Sequence, residues 1–365
     1  MFTTSIRSAQ VRAEERSAPL RFGIPVRDVR RRTRILLLRL LNASPVPALA
    51  KRLQRRGDLI LCLHNIVESH GPLGVNRGLD LTVGELEAVL AYLRAEGYCP
   101  VGLEEIGLQR GSGGRLGEKR VAITFDDGYA GNLHVAYPVL RHHAVPFTVY
   151  VTTGFMDREV RVWWYGLERL LAEVDCVAFE HAGRPYQYTC FTRAQKIHAY
   201  RSIGASLSGA QPRAADHILE QLFAGRIADL RELGAGDVLT AEQVRVLSRD
   251  PLVTIGAHSI SHRPLRQLSH EACRQEILEC RERLLSVTGG PVDHFAYPFG
   301  NRRACGPREE RIARESGYAT ATTTAARQVE ATDRPTALPR IMLTAELDVL
   351  ASLPALLTGW FGRRD

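Results

Sequence analysis

Beyond Asp58 the chain alternates short β-forming apolar runs with helices whose starts and stops are signalled, and that alternation leaves few folds open. The strand runs are Leu59–Leu63, Val121–Phe125, Phe147–Val151, Val253–Ala257 and Phe295–Tyr297. Between them, Thr82-Val-Gly-Glu85 is a capping box that opens a helix to Ala95, with Gly97 as its stop. Thr240-Ala-Glu-Gln243 opens another, Ser269 caps a long helix ending near Gly289, and Pro307 suits the first turn of one stopping at Gly317. Strands separated by helices predict an α/β fold with a largely parallel sheet. The rhythm breaks from about 160 to 235, where Trp163-Trp164-Tyr165 opens a helix, a hairpin turns at Ala182-Gly183-Arg184, and Leu and Ile recur at helical spacing. This stretch reads as an insertion between strand–helix units. The Gly-rich run at 111–117 reads as a surface loop.

Charge is distributed unevenly. Residues 1–57 hold 14 Arg or Lys against three acids, a net +11, so the other 308 residues carry 34 basic and 37 acidic groups, a net −3. Basicity therefore belongs to the leader, and the body has no electrostatic reason to bind nucleic acid. The leader lacks the layout of a signal peptide, because its apolar patch is short and is broken by Arg39. It reads either as an unstructured extension or, over residues 30–56, as a basic amphipathic helix in peripheral contact with an anionic membrane. Seven cysteines, an odd number with no Cys-x-x-Cys pair, argue against a disulfide framework and a structural zinc module. The expectation is a cytoplasmic protein, at most on the inner membrane face. Its expected layout is an extension over 1–57, a domain over 58–350 with the insertion at about 160–235, and a tail over 351–365.

Two features carry chemistry. Val121–Phe125 ends in Asp126-Asp127-Gly128. In parallel α/β folds the C-terminal ends of strands open onto the functional face. Adjacent carboxylates repel and coexist most readily beside a cation. Asp and Gly are also turn residues, so the dipeptide alone reads as a turn. The second feature follows Val253–Ala257 directly: His258-Ser-Ile-Ser-His262. Two histidines four apart converge if the segment makes one helical turn, and imidazole suits zinc and its neighbours. With Asp127 they make three protein ligands and leave room for water, as in a catalytic zinc site.

Thr124-Phe-Asp-Asp-Gly128 and His258-Ser-x-x-His262, in that order, resemble the first two signature motifs of the polysaccharide deacetylases, which share the NodB homology domain. Phe295-Ala-Tyr-Pro-Phe-Gly300 is similar to a third motif in one branch. The resemblance runs from about Leu61 to Leu343, interrupted by the insertion. It implies a distorted (β/α) barrel with a mostly helical insertion, and hydrolysis of an N-acetyl group from a GlcNAc-containing saccharide with release of acetate. It also implies Asp126 as general base and Asp127, His258 and His262 as ligands to a divalent metal, Zn2+ first, with Co2+, Ni2+ or Mn2+ as substitutes. The backbone amide near Phe299, with Tyr297 beside it, matches the oxyanion-stabilising stretch.

Two departures stand out. Most members carry a general-acid histidine in a late Leu-x-His motif, but here that segment reads Leu338-Pro-Arg-Ile-Met342, and the last histidine is His294. His64, at the end of the first strand, is the substitute, and the branch with the Phe-Ala-Tyr-Pro-like motif carries an early histidine of this kind. Against it stands a strand-capping role. The arginine that usually steadies the base is replaced by Ala296, and Arg340 is the candidate to pair with Asp126. Trp163 and Trp164 are candidates to line a sugar groove, although three consecutive aromatics cannot share one helix face. Cys62 reads as packing on the side of the strand away from His64. A hydrolase of a non-sugar C–N bond, or an inactive saccharide-binding relative, would retain the same motifs.

Overall fold

The computed structural model describes residues 57–107, 119–346 and 349–357. The basic leader before residue 57, the whole Gly-rich loop at 111–117 and the end of the C-terminal tail lie outside the described residues. The first strands are β1 (Leu59–Leu63), β2 (Asn65–Val67), β3 (Asp80–Thr82), β4 (Tyr98–Pro100) and β5 (Lys119–Phe125). Then come β6 (Phe147–Val151), β7 (Cys176–His181), β8 (Arg184–Thr189), β9 (Val253–Ala257), β10 (His294–Ala296), β11 (Thr320–Thr322) and β12 (Ile341–Met342). One sheet runs β11-β10-β9-β6-β5-β1-β12, with β4 joining β5, and its pairs are all parallel. The sheet curls into a distorted (β/α) barrel with helices packed outside it.

Strand alternation separates two environments. Leu59, Leu61, Leu63, Val121, Ile123, Phe125, Phe147, Val149 and Val151 join the main hydrophobic core with helix residues such as Leu86, Leu90, Ile277 and Leu284. The intervening residues Ile60, Ala122, Tyr150 and Ala296 form a separate cluster with Leu338. Continued by two, that inward row reaches Cys62 and His64 from Ile60, and Thr124 and Asp126 from Ala122.

The helix signals operate as local chemistry predicts. Thr82 and Thr240 form reciprocal capping boxes with Glu85 and Gln243, and Ser269 accepts from Ala272 N at the start of His270–Thr288. Gly289, left-handed at φ 65°, ends that helix. One boundary moves: the third motif's strand is His294–Ala296, and Tyr297 instead donates its amide to Thr322 O at 3.2 Å.

β6 and β9 are direct parallel neighbours, so residues 152–252 leave the sheet and return to it beside where they left. Within that excursion the helices Trp163–Glu173, Arg193–Gly209 and Pro212–Leu222 and the β7–β8 hairpin close their own apolar core, around Leu167, Leu171, Phe179, Ile203 and Ile218. The hairpin turns at Ala182 and Gly183, both at positive φ. Among the described residues no helix is long and apolar enough to cross a membrane.

Candidate active site

Strand register brings the candidate residues to one rim. Leu63 pairs with Phe125 and Val151 with Ala257, so His64, Asp126 and His258 each follow the last paired residue of a strand. Two backbone bonds fix these exits: Asp126 N donates to Leu63 O at 2.9 Å, and His258 N to Val151 O at 3.0 Å. Immediately afterwards Asp127 turns left-handed at φ 73°, and Gly128 follows at φ 78°. The adjacent carboxylates therefore part, and each meets different partners.

Asp127 faces the histidines. Its Oδ1 lies 3.4 Å from His258 Nε2 and 3.1 Å from His262 Nε2. His258 Nδ1 stands 2.7 Å from Ala296 O, a group that can only accept, so Nδ1 carries the proton and Nε2 turns its lone pair inward. Asp127 Oδ1 is buried with no hydrogen bond of its own. Acceptors facing each other across about 3 Å need positive charge between them, an imidazolium proton or a metal ion, and ligands around one tetrahedral zinc stand ~3.3 Å apart. The donor set and its spacing therefore fit a divalent metal. Burial opposes charge on His258, yet the nearby Asp126 and Asp127 carboxylates outweigh it and raise its pKa, the same demand for positive charge seen from the imidazole.

His258 and His262 do not converge through a helical turn. The segment is irregular, with Ser259 at φ 63° and His262 at φ 54°. What shapes it is a clasp. Glu276, on the helix His270–Thr288, accepts from Ile260 N at 2.9 Å and Ser261 N at 2.8 Å, and also from the Ser261 hydroxyl. From the other side Gly154 N donates to Ile260 O at 2.9 Å, an approach so close that a Cβ on Gly154 would sit 2.3 Å from that oxygen.

Asp126 meets Arg340. The guanidinium is fully buried and bidentate, Nη1 to Oδ1 at 2.6 Å and Nη2 to Oδ2 at 2.7 Å, with Thr124 Oγ1 at 3.1 Å and Thr323 O at 3.3 Å as further acceptors. It also lies over the Tyr150 ring at 5.4 Å. Burial pushes the Asp126 carboxyl upward, but the Arg340 charge overrides it and holds the group at about 2. Cys62 is placed otherwise than its sequence reading. Two residues before His64, it shares the inward row, and its Sγ lies 3.4 Å from Asp126 Oδ2. Burial raises its thiol well above the ordinary range. His64 completes a group with Cys62 and Asp126 whose ligand atoms lie within 4.8 Å of one another, and burial lowers its pKa.

The aromatic candidates divide. Phe299, at φ 62°, is 51% exposed, its ring 5.0 Å from that of His262, and among the described residues its amide donates to no protein acceptor. Tyr297 does not line the site: its ring is buried against Phe295 and its hydroxyl donates to Thr336 O at 2.9 Å. Trp163 packs into the core of the excursion, edge-on to Gly204. Trp164 instead meets Phe155 edge to face, centroids 5.8 Å apart, and Phe155 lies 5.7 Å from the His262 ring. Sequence reasoning passed over Glu276, Phe155 and the buried Tyr129. Tyr129 alone carried a signal, sitting directly after Asp126-Asp127-Gly128; Glu276 lies fifteen residues from Ser261 and carried none.

The sequence model of the family described as polysaccharide deacetylase matches residues 113–321, more than half of the 365-residue chain. The chain belongs to the polysaccharide deacetylase family. A Bacillus subtilis protein, YxkH, named as a candidate polysaccharide deacetylase, is 37% identical over 67 residues, 18% of this chain and 24% of its own length. The chain thus aligns with about a quarter of that relative. Among solved structures, the Streptococcus pyogenes deacetylase PplD, determined with acetate, superposes with a TM-score of 0.55 at 17% identity, covering 82% of this chain and 98% of its own. The de-N-acetylase of Aggregatibacter actinomycetemcomitans gives 0.52 at 14%, covering 82% and 99%. IcaB of Ammonifex degensii gives 0.51 at 18%, covering 83% and 97%. These three structures share the barrel.

Proposed function

We propose that this polysaccharide deacetylase is a divalent-metal-dependent hydrolase that removes N-acetyl groups from a GlcNAc-containing oligo- or polysaccharide and releases acetate. The observation that carries the reading is the triad of Asp127, His258 and His262, whose inward acceptors face one another beside an arginine-held Asp126. Those three residues would hold the metal, Zn2+ by donor type, which supplies an acidified water and polarises the acetyl carbonyl.

The remaining steps fall to the chain's own groups. Asp126 accepts the proton of the attacking water at Oδ2, and Arg340 fixes the plane in which that oxygen is presented. Burial keeps the resting His64 imidazole neutral, so the proton it delivers to the departing amine arrives during the cycle, and Asp126 in the same cluster is its source. The Phe299 amide stabilises the developing oxyanion. Phe299 and the Trp164–Phe155 wall flank the sugar, and the insertion at about 160–235 of the domain over 58–350 forms one edge of the groove.

The direct test loads the purified protein with Zn2+ or Co2+ and measures acetate release from N-acetylglucosamine oligosaccharides, with Asp126→Asn as control. Metal-dependent release that falls about 100-fold or more in the variant is expected. Absence of metal-dependent release from every N-acetylated glycan tried would defeat the reading.

A further inference from the structure

A second group of ligands, a soft thiol, a borderline imidazole and a hard carboxylate, lies on the proton-transfer side of the rim: Cys62, His64 and Asp126, each offering an atom within 4.8 Å of the others. Cys62 Sγ and Asp126 Oδ2 stand 3.4 Å apart, close to the ~3.5 Å that a thiolate and a carboxylate oxygen show around one tetrahedral zinc. His64 Nδ1 is buried and has no partner among the described residues, and the ring itself is only partly covered, which gives an ion its way in. The group shares no residue with Asp127, His258 and His262. It is built around a thiol, which selects thiophilic cations over oxygen-seeking ones such as Mg2+.

We infer that Cys62, His64 and Asp126 form an inhibitory site for a thiophilic divalent cation, Zn2+ in excess or Cd2+. On binding, the cation replaces the Cys62 S–H proton, which leaves to solvent. A sulfur–metal bond forms, the neutral His64 ring gives a lone pair, and Asp126 gives Oδ2; nothing is oxidised or reduced. Arg340 already balances the Asp126 charge, so the new thiolate offsets part of the incoming dication. Inhibition, unlike binding, rests on the proposed function, because the ion occupies the groups assigned there to proton transfer.

The experiment takes the full chain loaded with one equivalent of Zn2+, titrates it with Cd2+, and follows the ultraviolet thiolate-to-cadmium charge-transfer band alongside acetate release. The band should saturate with the second equivalent while turnover falls about 100-fold. Cys99 and Cys176 are exposed, so Cys62→Ser and Cys62→Ala, checked for folding by circular dichroism, supply the control. In both variants the band should be lost, and each should keep its own cadmium-free rate within about twofold on the same addition. A wild-type protein without the band, or a band or inhibition unchanged in either folded variant, overturns the inference. If no acetate is released under any condition, the proposed function fails while the band still decides the site.

Discussion

Arg340 presses a guanidinium, with no solvent exposure, against the carboxylate of Asp126, and neither charge is tolerable there without the other. Arg340→Met should therefore cost about 3–5 kcal/mol in a urea unfolding experiment, because it strands a buried anion rather than merely deleting a contact. The same pair produces a pH dependence. Asp126 titrates at about 2 in the folded protein against an ordinary 3.8, so its contribution is complete above pH ~4 and is lost as pH falls toward 2. The gap corresponds to roughly 2 kcal/mol. Urea midpoints measured between pH 5 and pH 2 should fall more steeply for the wild type than for Asp126→Asn. Parallel curves would mean that Asp126 is not held ionised by Arg340.

At the scale of elements, the loop 258–262 shows how a ligand pair is positioned without regular structure. Between two left-handed residues, Ser259 and His262, the amides of Ile260 and Ser261 are held by a carboxylate from a neighbouring helix. Glu276→Ala should leave the helix intact, since Glu276 lies within it rather than at a cap, while metal affinity measured by chelator competition drops about tenfold. An unchanged affinity would make Glu276 a bystander. This element also marks where sequence reasoning stops. The strands and capped helices were legible because periodicity and caps are local, and Asp126, Asp127 and His258 were placed correctly at strand ends for that reason. The route by which His262 returns to the site was not, because it depends on Glu276 and on the approach of Gly154 to Ile260, contacts that no local pattern encodes. Cys62 was misread for a different reason: alternation by two puts it with His64. Trp163 and Trp164 diverged because adjacent helix positions point apart, one into the core of the excursion and one toward Phe155.

Across the whole molecule, three strand ends and one loop bring buried carboxylates and imidazoles together at spacings a bound cation would strengthen. His258, Asp127 and Asp126 are buried, and the Asp127 oxygen nearest the imidazoles has no hydrogen bond. An ion that binds the folded chain and not the unfolded one stabilises it by mass action, by about 2.7 kcal/mol at a hundredfold excess over its dissociation constant. Zn2+ should accordingly raise the thermal midpoint by a few degrees, since a domain of this size shifts about 1.5 °C per kcal/mol, and a chelator should reverse the rise. His258→Ala and His262→Ala should each abolish the response. The Cys62 site makes the whole-molecule curve informative in a second way, because an ion there also favours the folded state. Cys62→Ala should retain the first rise and lose any further gain at higher zinc, whereas the histidine variants should lose the first. A zinc response identical in all four proteins would place the bound ion elsewhere and remove the physical basis for both sites.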